Sequence, residues 1–316
     1  MTVLMPAYNV AGIVPRAIRS ALSQTYEMLE VVIVDGASDD ATCAVVEDIA
    51  AQDPRVRLLR CDRNGGPGVA RSVGLGAAHG DWIAVLDADD TMEPDRLATL
   101  VEYAARRHLD GVADNLVLVD PELDAAIGVA FPLGADSTFS LNPERLVANS
   151  IPGGRVNLGW MKPIVRRRFL DDHAVDWRPL RHAEDFLFTM ELLFAGARFD
   201  LLGRPGYRYT LRRGGKSGRK SPHTRAQRSV SDQIRTIDII LTGHRRALTP
   251  ALKRALVARK PQIEVTPAVL EAMEAWRDRR WLDAVRGAAA AATRPKSLAY
   301  CMNARFGRHA RRLVGQ

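Results

Sequence analysis

The chain is predicted to be an α/β protein: a mostly parallel sheet with helices on both faces, followed by a helical C-terminal extension. Three observations predict this. Short apolar runs alternate with helical patterns through the first third of the chain. Those apolar runs are nearly continuous, as in strands covered on both faces. After Ser221 the pattern is helical and Arg-rich, with no further strand signal.

The elements follow in order. Thr2 to Met5 reads as a strand and Ala11 to Ser23 as an amphipathic helix. Glu30 to Val34 is a β-branched strand. Ala41 to Gln52 is helical, with Ser38, Asp39 and Asp40 as capping residues ahead of it. Arg55 to Arg60, Trp82 to Leu86 and Val112 to Val119 are strands, while Val69 to Ala78 and Glu93 to Arg107 are helices. A Pro- and Gly-punctuated region then runs to about Asn157. In HAEDFLFTMELLFAG, the residues Phe186, Leu187, Met190, Leu193 and Phe194 share one helical face, and Gly196 ends the helix. Arg212 to Lys220 is a Gly-, Ser- and base-rich surface loop. The helical stretch beyond it is expected to break at Pro261.

At 316 residues the chain can form one large α/β domain or two modest ones. Its net charge of +8 favours acidic partners: a sugar nucleotide, nucleic acid or an anionic membrane surface. Cys43, Cys61 and Cys301 are odd in number and lack metal-type spacing, which fits a reducing compartment. MTVLMPAYN reads as strand and turn, so no signal peptide is expected. No window approaches the roughly 20 apolar residues that span a bilayer, so any membrane contact is expected to be peripheral.

The most informative stretch is GDWIAVLDADD, Gly80 to Asp90, where a strand delivers Asp87, Asp89 and Asp90 at its carboxyl end. Open α/β sheets bind ligands there. Crowded carboxylates repel unless a cation sits among them, and hard oxygen ligands suit magnesium or manganese bound to a diphosphate. An acidic turn with Asp90 capping the next helix is the other reading, and these residues alone leave both open. Tyr8, in Pro6-Ala7-Tyr8-Asn9, can lie against a flat base or simply belong to a βα turn. Asp35 ends the second strand, where it can accept from a base or a ribose hydroxyl. Arg71 lies one turn into the helix after Gly65-Gly66-Pro67-Gly68 and can reach the acidic loop or solvent. Glu184 and Asp185 begin a helix, as a general base or as residues favoured by the macrodipole. Arg212, Arg213, Lys216, Arg219 and Lys220 can supply positive charge at a departing diphosphate or remain solvated. GLGAAHG lies late in a helix and precedes a strand, the reverse of a dinucleotide fingerprint, and is set aside.

Taken in order, PAYN, VDGASDDAT, Ala70-Arg71-Ser72, GDWIAVLDADD and His182-Ala183-Glu184-Asp185 resemble a family 2 glycosyltransferase of the GT-A-type, Rossmann-like fold. The resemblance extends from Thr2 to Lys220. LGWMKPIVRRRFL, HAEDFLF and PGYRYTLRRGG resemble the bacterial exopolysaccharide branch, including succinoglycan-type glucosyltransferases. It implies a nucleotide-sugar-binding half (1–115), an acceptor-side half of the same catalytic domain (116–220) and a basic helical extension (221–316). Pro6, Ala7, Tyr8, Asp35, Arg71 and Asp87 would bind the nucleotide, with Asp35 reading uracil and Asp87 touching ribose. Asp89, with Asp87, would hold Mn2+ or Mg2+. Asp185 would be the base, with Glu184 beside it. Trp160, Lys162, Arg212 and Lys216 would lie on the acceptor or phosphate side. The implied reaction is inverting transfer of a hexose, glucose as first choice, from a UDP-sugar to a glycan or lipid-linked saccharide. The expected location is cytoplasmic, with the basic C-terminal region able to rest on the inner face of the plasma membrane.

Two positions depart from the family pattern: Gly36 stands where a second acidic residue is frequent, and Ser72 where Asn is common. Two rival classes remain. A nucleotidylyltransferase would carry a Gly-rich N-terminal phosphate loop, which MTVLMPAYNVAG lacks. A nucleic-acid binder would interleave surface aromatics with its bases, whereas Trp276 and Trp281 sit in a helical pattern. No nucleic-acid partner is therefore expected.

Overall fold

A computed structural model describes residues 1–152, 156–211, 230–277 and 279–292. Along the chain lie β1 (Thr2–Ala7), α1 (Val14–Leu22), β2 (Glu30–Asp35), α2 (Thr42–Gln52), β3 (Val56–Arg60), α3 (Pro67–Gly76), β4 (Trp82–Val85), β5 (Thr91–Met92) and α4 (Arg96–Arg107). Then come β6 (Gly111–Asp120), β7 (Ala125–Val129), β8 (Thr138–Ser140), α5 (Pro143–Ala148), β9 (Ile164–Arg166), α6 (Arg167–His173), α7 (Glu184–Phe194) and β10 (Phe199–Thr210). The last helices are α8 (Val230–Gly243), α9 (Pro250–Arg277) and α10 (Trp281–Ala292).

The sheet runs β3-β2-β1-β4-β9-β6-β10-β5, with β7 on β6 and β8 on β10. Strands β3, β2, β1 and β4 are parallel, β9 is antiparallel to both neighbours, and β6 and β10 are again parallel. Residues 31–35 of β2 and all of β4 are buried, so the apolar runs in the sequence have both faces covered. The chain moves outward from β1 to β3 and then returns to β4 on the other side of β1. Right-handed crossovers therefore place α1 and α2 on one face and α3 on the other. That reversal leaves a crevice at the carboxyl ends of β1 and β4, the usual ligand position in such sheets.

Two compact units are present. Met1–Val129, Leu133–Asn142 and Trp160–Leu211 form the first, which holds the sheet. Ala130–Pro132, Pro143–Gly159 and the described residues of Arg212–Gln316 form the second. Residues 143–159, expected with the acceptor-side half, thus group with the helices, because α5 packs against α9. The break expected at Pro261 does not occur: α9 continues through Pro261 and Pro267. Packing against α8 and α10 holds it, with Val265 and Val269 meeting Ala291 in a small core.

β10 carried no strand prediction, because Gly203, Pro205 and Gly206 interrupt its pattern. The structure absorbs them as register shifts on both sides of Pro205 in its pairing with β6. Gly68 marks a close approach: a Cβ there would stand 2.2 Å from the Arg178 carbonyl oxygen. Its bare backbone lets residues 178–180 cross the start of α3 on their way to α7.

Candidate active site

The carboxyl ends of β1 and β2 meet at the Ala7–Asp35 register, and the Gly36 N–H donates to the Ala7 carbonyl at 2.8 Å. Pro6, Ala7, Tyr8 and Asp35 are therefore together. Tyr8 is 48% exposed, while Asp35 is buried and accepts from the Ser38 N–H and hydroxyl at 2.9 and 2.5 Å. Asn9, in the left-handed region at φ 54, accepts from the Asp39 N–H, and its own N–H donates to Ser38. These bonds lace the two loops into one rim.

Next to this rim, five ionisable groups converge from distant parts of the chain. The Arg71 side chain is 1% exposed. Its Nη1 donates to Glu184 Oε1 at 2.9 Å and Asp185 Oδ1 at 2.6 Å, and its Nη2 to Asp87 Oδ1 at 2.6 Å. Lys162 Nζ lies 2.6 Å from Asp185 Oδ2 and 2.9 Å from Asp87 Oδ2. Each cation thus bridges the acidic loop after β4 to the first turn of α7. Burial opposes the charge on Lys162, but Asp185 and Asp87 outweigh it and raise its pKa. Burial would likewise raise the Asp87 carboxyl, yet Lys162 and Arg71 hold it well below the usual carboxylate range. Glu184 and Asp185 also sit where the helix macrodipole favours negative charge. Ala183 before them has φ 61, a strained left-handed conformation of the kind found beside functional groups.

Glu184 behaves differently. Burial, then the Asp185 charge, push its carboxyl up to about 7. The folded protein therefore holds this proton more tightly than the unfolded chain. That contribution to stability is full below about pH 4.5 and is lost as pH rises through about 7. In thermal melts of the ligand-free, chelator-treated protein, Glu184→Gln is expected to flatten the decline of melting temperature across that window. Parallel profiles for variant and wild type would show that Glu184 does not titrate there.

The acidic loop is anchored by a strand that the sequence did not reveal. Asp90 Oδ2 accepts from the Tyr207 hydroxyl at 2.8 Å, and Oδ1 from the Thr210 N–H at 2.7 Å. The same Tyr207 hydroxyl accepts from the Asp87 N–H at 3.0 Å. Arg16 Nη2 donates to the Asp89 carbonyl and to Thr210 Oγ1, each at 3.2 Å. Asp90 is thus a structural anchor and caps no helix; the residue before α4 is Asp95. Carboxylate oxygens of Asp87, Asp89 and Asp90 all lie within 4.8 Å of one another. Burial and the neighbouring Asp89 and Asp87 charges push the Asp90 carboxyl well above its ordinary range. Hard oxygen donors with this excess of negative charge fit a divalent cation. Among the described residues these three carboxylates are the group that could hold one, Asp90 with oxygens also bonded to β10 and Asp87 with oxygens also bonded to Arg71 and Lys162.

Residues 2–152 match the model of glycosyl transferase family 2. This segment belongs to that family. Among curated relatives, the succinoglycan biosynthesis protein ExoO of Rhizobium meliloti is 40% identical over 220 residues, 68% of this chain and 61% of that protein. ExoU of the same organism is 30% identical over 225 residues, 68% of this chain and 63% of that protein. The chain therefore spans about three fifths of the length of these relatives. Staphylococcus aureus TarS (residues 1–349), solved with UDP-GlcNAc, superposes with a TM-score of 0.63 at 21% identity, covering 99% of this chain and 83% of that one. At that identity the likeness establishes the fold, a GT-A-type α/β sheet with a helical C-terminal region.

Of the residues singled out from the family 2 sequence pattern, Arg71, Asp87, Lys162, Glu184 and Asp185 meet in one network, with Asp89 beside it. Trp160 stacks on Tyr209 with ring centroids 6.4 Å apart and planes 15° apart. Burial, then the Asp90, Asp89, Asp87 and Asp185 charges, push the Tyr209 hydroxyl well above its usual range. Ser72 Oγ donates to Asp176 Oδ2 at 2.5 Å. Arg212 and Lys216, with the rest of their loop, and the basic residues 294–312 lie outside the described residues. Sequence reasoning missed Tyr207, Thr210, Arg96 and Asp114. The one available signal was Asp114-Asn115, two polar residues inside the apolar run of β6.

Proposed function

We propose that the chain transfers a hexose, glucose as first choice, from a UDP-sugar to a glycan or lipid-linked saccharide, with inversion at the anomeric carbon, in surface or exopolysaccharide synthesis. One observation carries this reading: a single ammonium, Lys162, holds Asp185 and the nucleotide-side Asp87 together in the crevice at the β1/β4 reversal. A proton acceptor and a donor-binding carboxylate then share one cleft, as a direct displacement requires. The succinoglycan relatives and the UDP-GlcNAc complex of TarS support the choice of reaction and donor class.

In this reading the rim of Pro6, Ala7, Tyr8 and Asp35 receives the base, and Asp87 receives the ribose. A Mn2+ or Mg2+ ion held by Asp89 and Asp87 would neutralise the diphosphate and so improve the leaving group. Asp185 takes the proton of the acceptor hydroxyl as its oxygen bonds to the anomeric carbon. The carbon–oxygen bond to the diphosphate breaks on the opposite side, and its electron pair leaves with UDP. Arg71 and Lys162 fix the Asp185 carboxylate so that it does not reorient during the step. Trp160 and Tyr209 line the acceptor side.

The test is sugar release from a panel of UDP-, GDP- and dTDP-sugars with and without manganese. Metal-dependent turnover of a UDP-hexose is expected, with Asp89→Asn reducing it to the chelator-treated background. Metal-independent turnover, or none with any UDP-sugar, would overturn the reading.

We place the protein in the cytoplasm, in peripheral contact with the membrane. No described helix is long and apolar enough to cross a bilayer. Trp276, Trp281, Leu282 and Val285 are nevertheless each more than half exposed on the second unit, and a basic sequence follows them. Flotation with phosphatidylglycerol vesicles is expected to need these residues, and equal flotation of a Trp276→Ala/Trp281→Ala variant would exclude that surface.

A further inference from the structure

Behind the active site lies a second charged pair with no direct part in the reaction proposed above. The Arg96 side chain is fully buried at the start of α4. Its Nε donates to Asp114 Oδ1 and Oδ2, both at 3.0 Å, and its Nη2 to Asp114 Oδ1 at 2.7 Å. The same guanidinium makes two further contacts. Nη2 donates to the carbonyl of Lys162, and the Cζ atom stands 5.0 Å from the centroid of the Tyr207 ring. One plane therefore touches two carriers of the site. One is the peptide bearing the ammonium that bridges Asp185 and Asp87, and the other is the ring whose hydroxyl fixes Asp87 and Asp90. β10 is shaped to allow this: a Cβ on Gly206 would stand 2.5 Å from Asp114 Oδ2. The register shifts around Pro205 lead directly into Tyr207.

A buried ion pair is a poor source of stability, because desolvation of both charges offsets most of their attraction. An apolar pair of similar volume would fold as well. What an apolar pair cannot do is donate to a carbonyl and hold an aromatic face at the same time, and a lysine has no rigid fork with which to do so. We infer that Arg96, locked by Asp114, is a positioning residue: it sets where the Lys162 ammonium and the Asp87–Asp90 loop stand relative to one another. This inference rests on the transferase reading given above, in which Lys162 links the base to the donor-binding carboxylates.

The test is the double variant Arg96→Met/Asp114→Asn, which removes both charges and leaves no buried ion unpaired. It is assayed with the fastest donor of the sugar-nucleotide panel, beside Arg96→Lys and Asp185→Asn. The expected result is a melting temperature within a few degrees of wild type, KM for donor within about threefold, and kcat lowered at least tenfold. Arg96→Lys keeps the charge opposite Asp114 and is expected to show the same kcat loss, so it decides the matter if the double variant folds poorly. Wild-type kcat in a folded Arg96 variant, with Asp185→Asn inactive, overturns the positioning role and leaves the transferase reading standing. Wild-type turnover by Asp185→Asn overturns the reading itself.

Discussion

Asp185→Asn is expected to lower sugar transfer by roughly 10²–10⁴-fold, the usual contribution of a positioned proton acceptor, while UDP still binds. The carboxylate carries two cations on two oxygens: Arg71 on Oδ1 and Lys162 on Oδ2. An amide is uncharged, so both ion pairs are lost; it keeps one acceptor, turns an N–H toward the other cation, and cannot take a proton. The helix start itself is undisturbed, because Asn tolerates that position and Glu184 remains. UDP affinity measured by titration with manganese should change little, since the rim proposed to receive the base is built from β1, β2 and their loops. Transfer at wild-type rate would refute the base assignment. Loss of UDP affinity alongside activity would show instead that Asp185 acts on the donor.

Arg71→Met has the largest expected effect on stability. The guanidinium is the shared partner of Asp87, Glu184 and Asp185, and it is sealed from solvent. Without it, Lys162 alone faces the carboxylates that it reaches, and buried negative charge goes uncompensated. Breaking a buried pair from one side costs about 3–5 kcal/mol, a fall of roughly 10 °C in melting temperature for a domain of this size. Arg71→Lys should recover part of that loss but little activity. Arg71 reaches α7 through Nη1 and the acidic loop through Nη2, and a single ammonium cannot present both edges. A melting temperature for Arg71→Met within 2 °C of wild type would mean that the carboxylates are already relieved by protonation or solvent; the 2 °C bound is about the shift that 1 kcal/mol produces.

How far these groups could be read in advance depended on whether their signal was local. β1, β2 and β4 are short, largely apolar runs set between helical periods, so composition and spacing identify them, and β3 follows at the same spacing. Asp87, Asp89 and Asp35 stand at strand ends, where chemistry is expected, and Glu184-Asp185 opens an amphipathic helix. β10 was illegible for the opposite reason: its Gly-Arg-Pro-Gly segment is what a loop looks like, and only pairing with β6 makes it a strand. Tyr207 and Thr210 inherit that blindness, because a hydrogen bond to Asp90 across 117 and 120 residues leaves no mark on spacing. Arg96 is hidden differently. It looks like an ordinary solvated base in the first turn of a helix, and its partners, Asp114 first among them, come from distant elements. Pro261 shows the limit of a local rule, since neighbouring helices hold α9 straight through it.

The anchorage of the acidic loop by β10 bears on how the protein is made. The family 2 segment ends at residue 152, yet Asp90 meets its partners only at Tyr207 and Thr210. A polypeptide still emerging from the ribosome can complete the first four strands and yet lack an ordered acidic tip. In the proposed reading, competence to bind a sugar nucleotide is then acquired late in translation, in the step that closes the sheet.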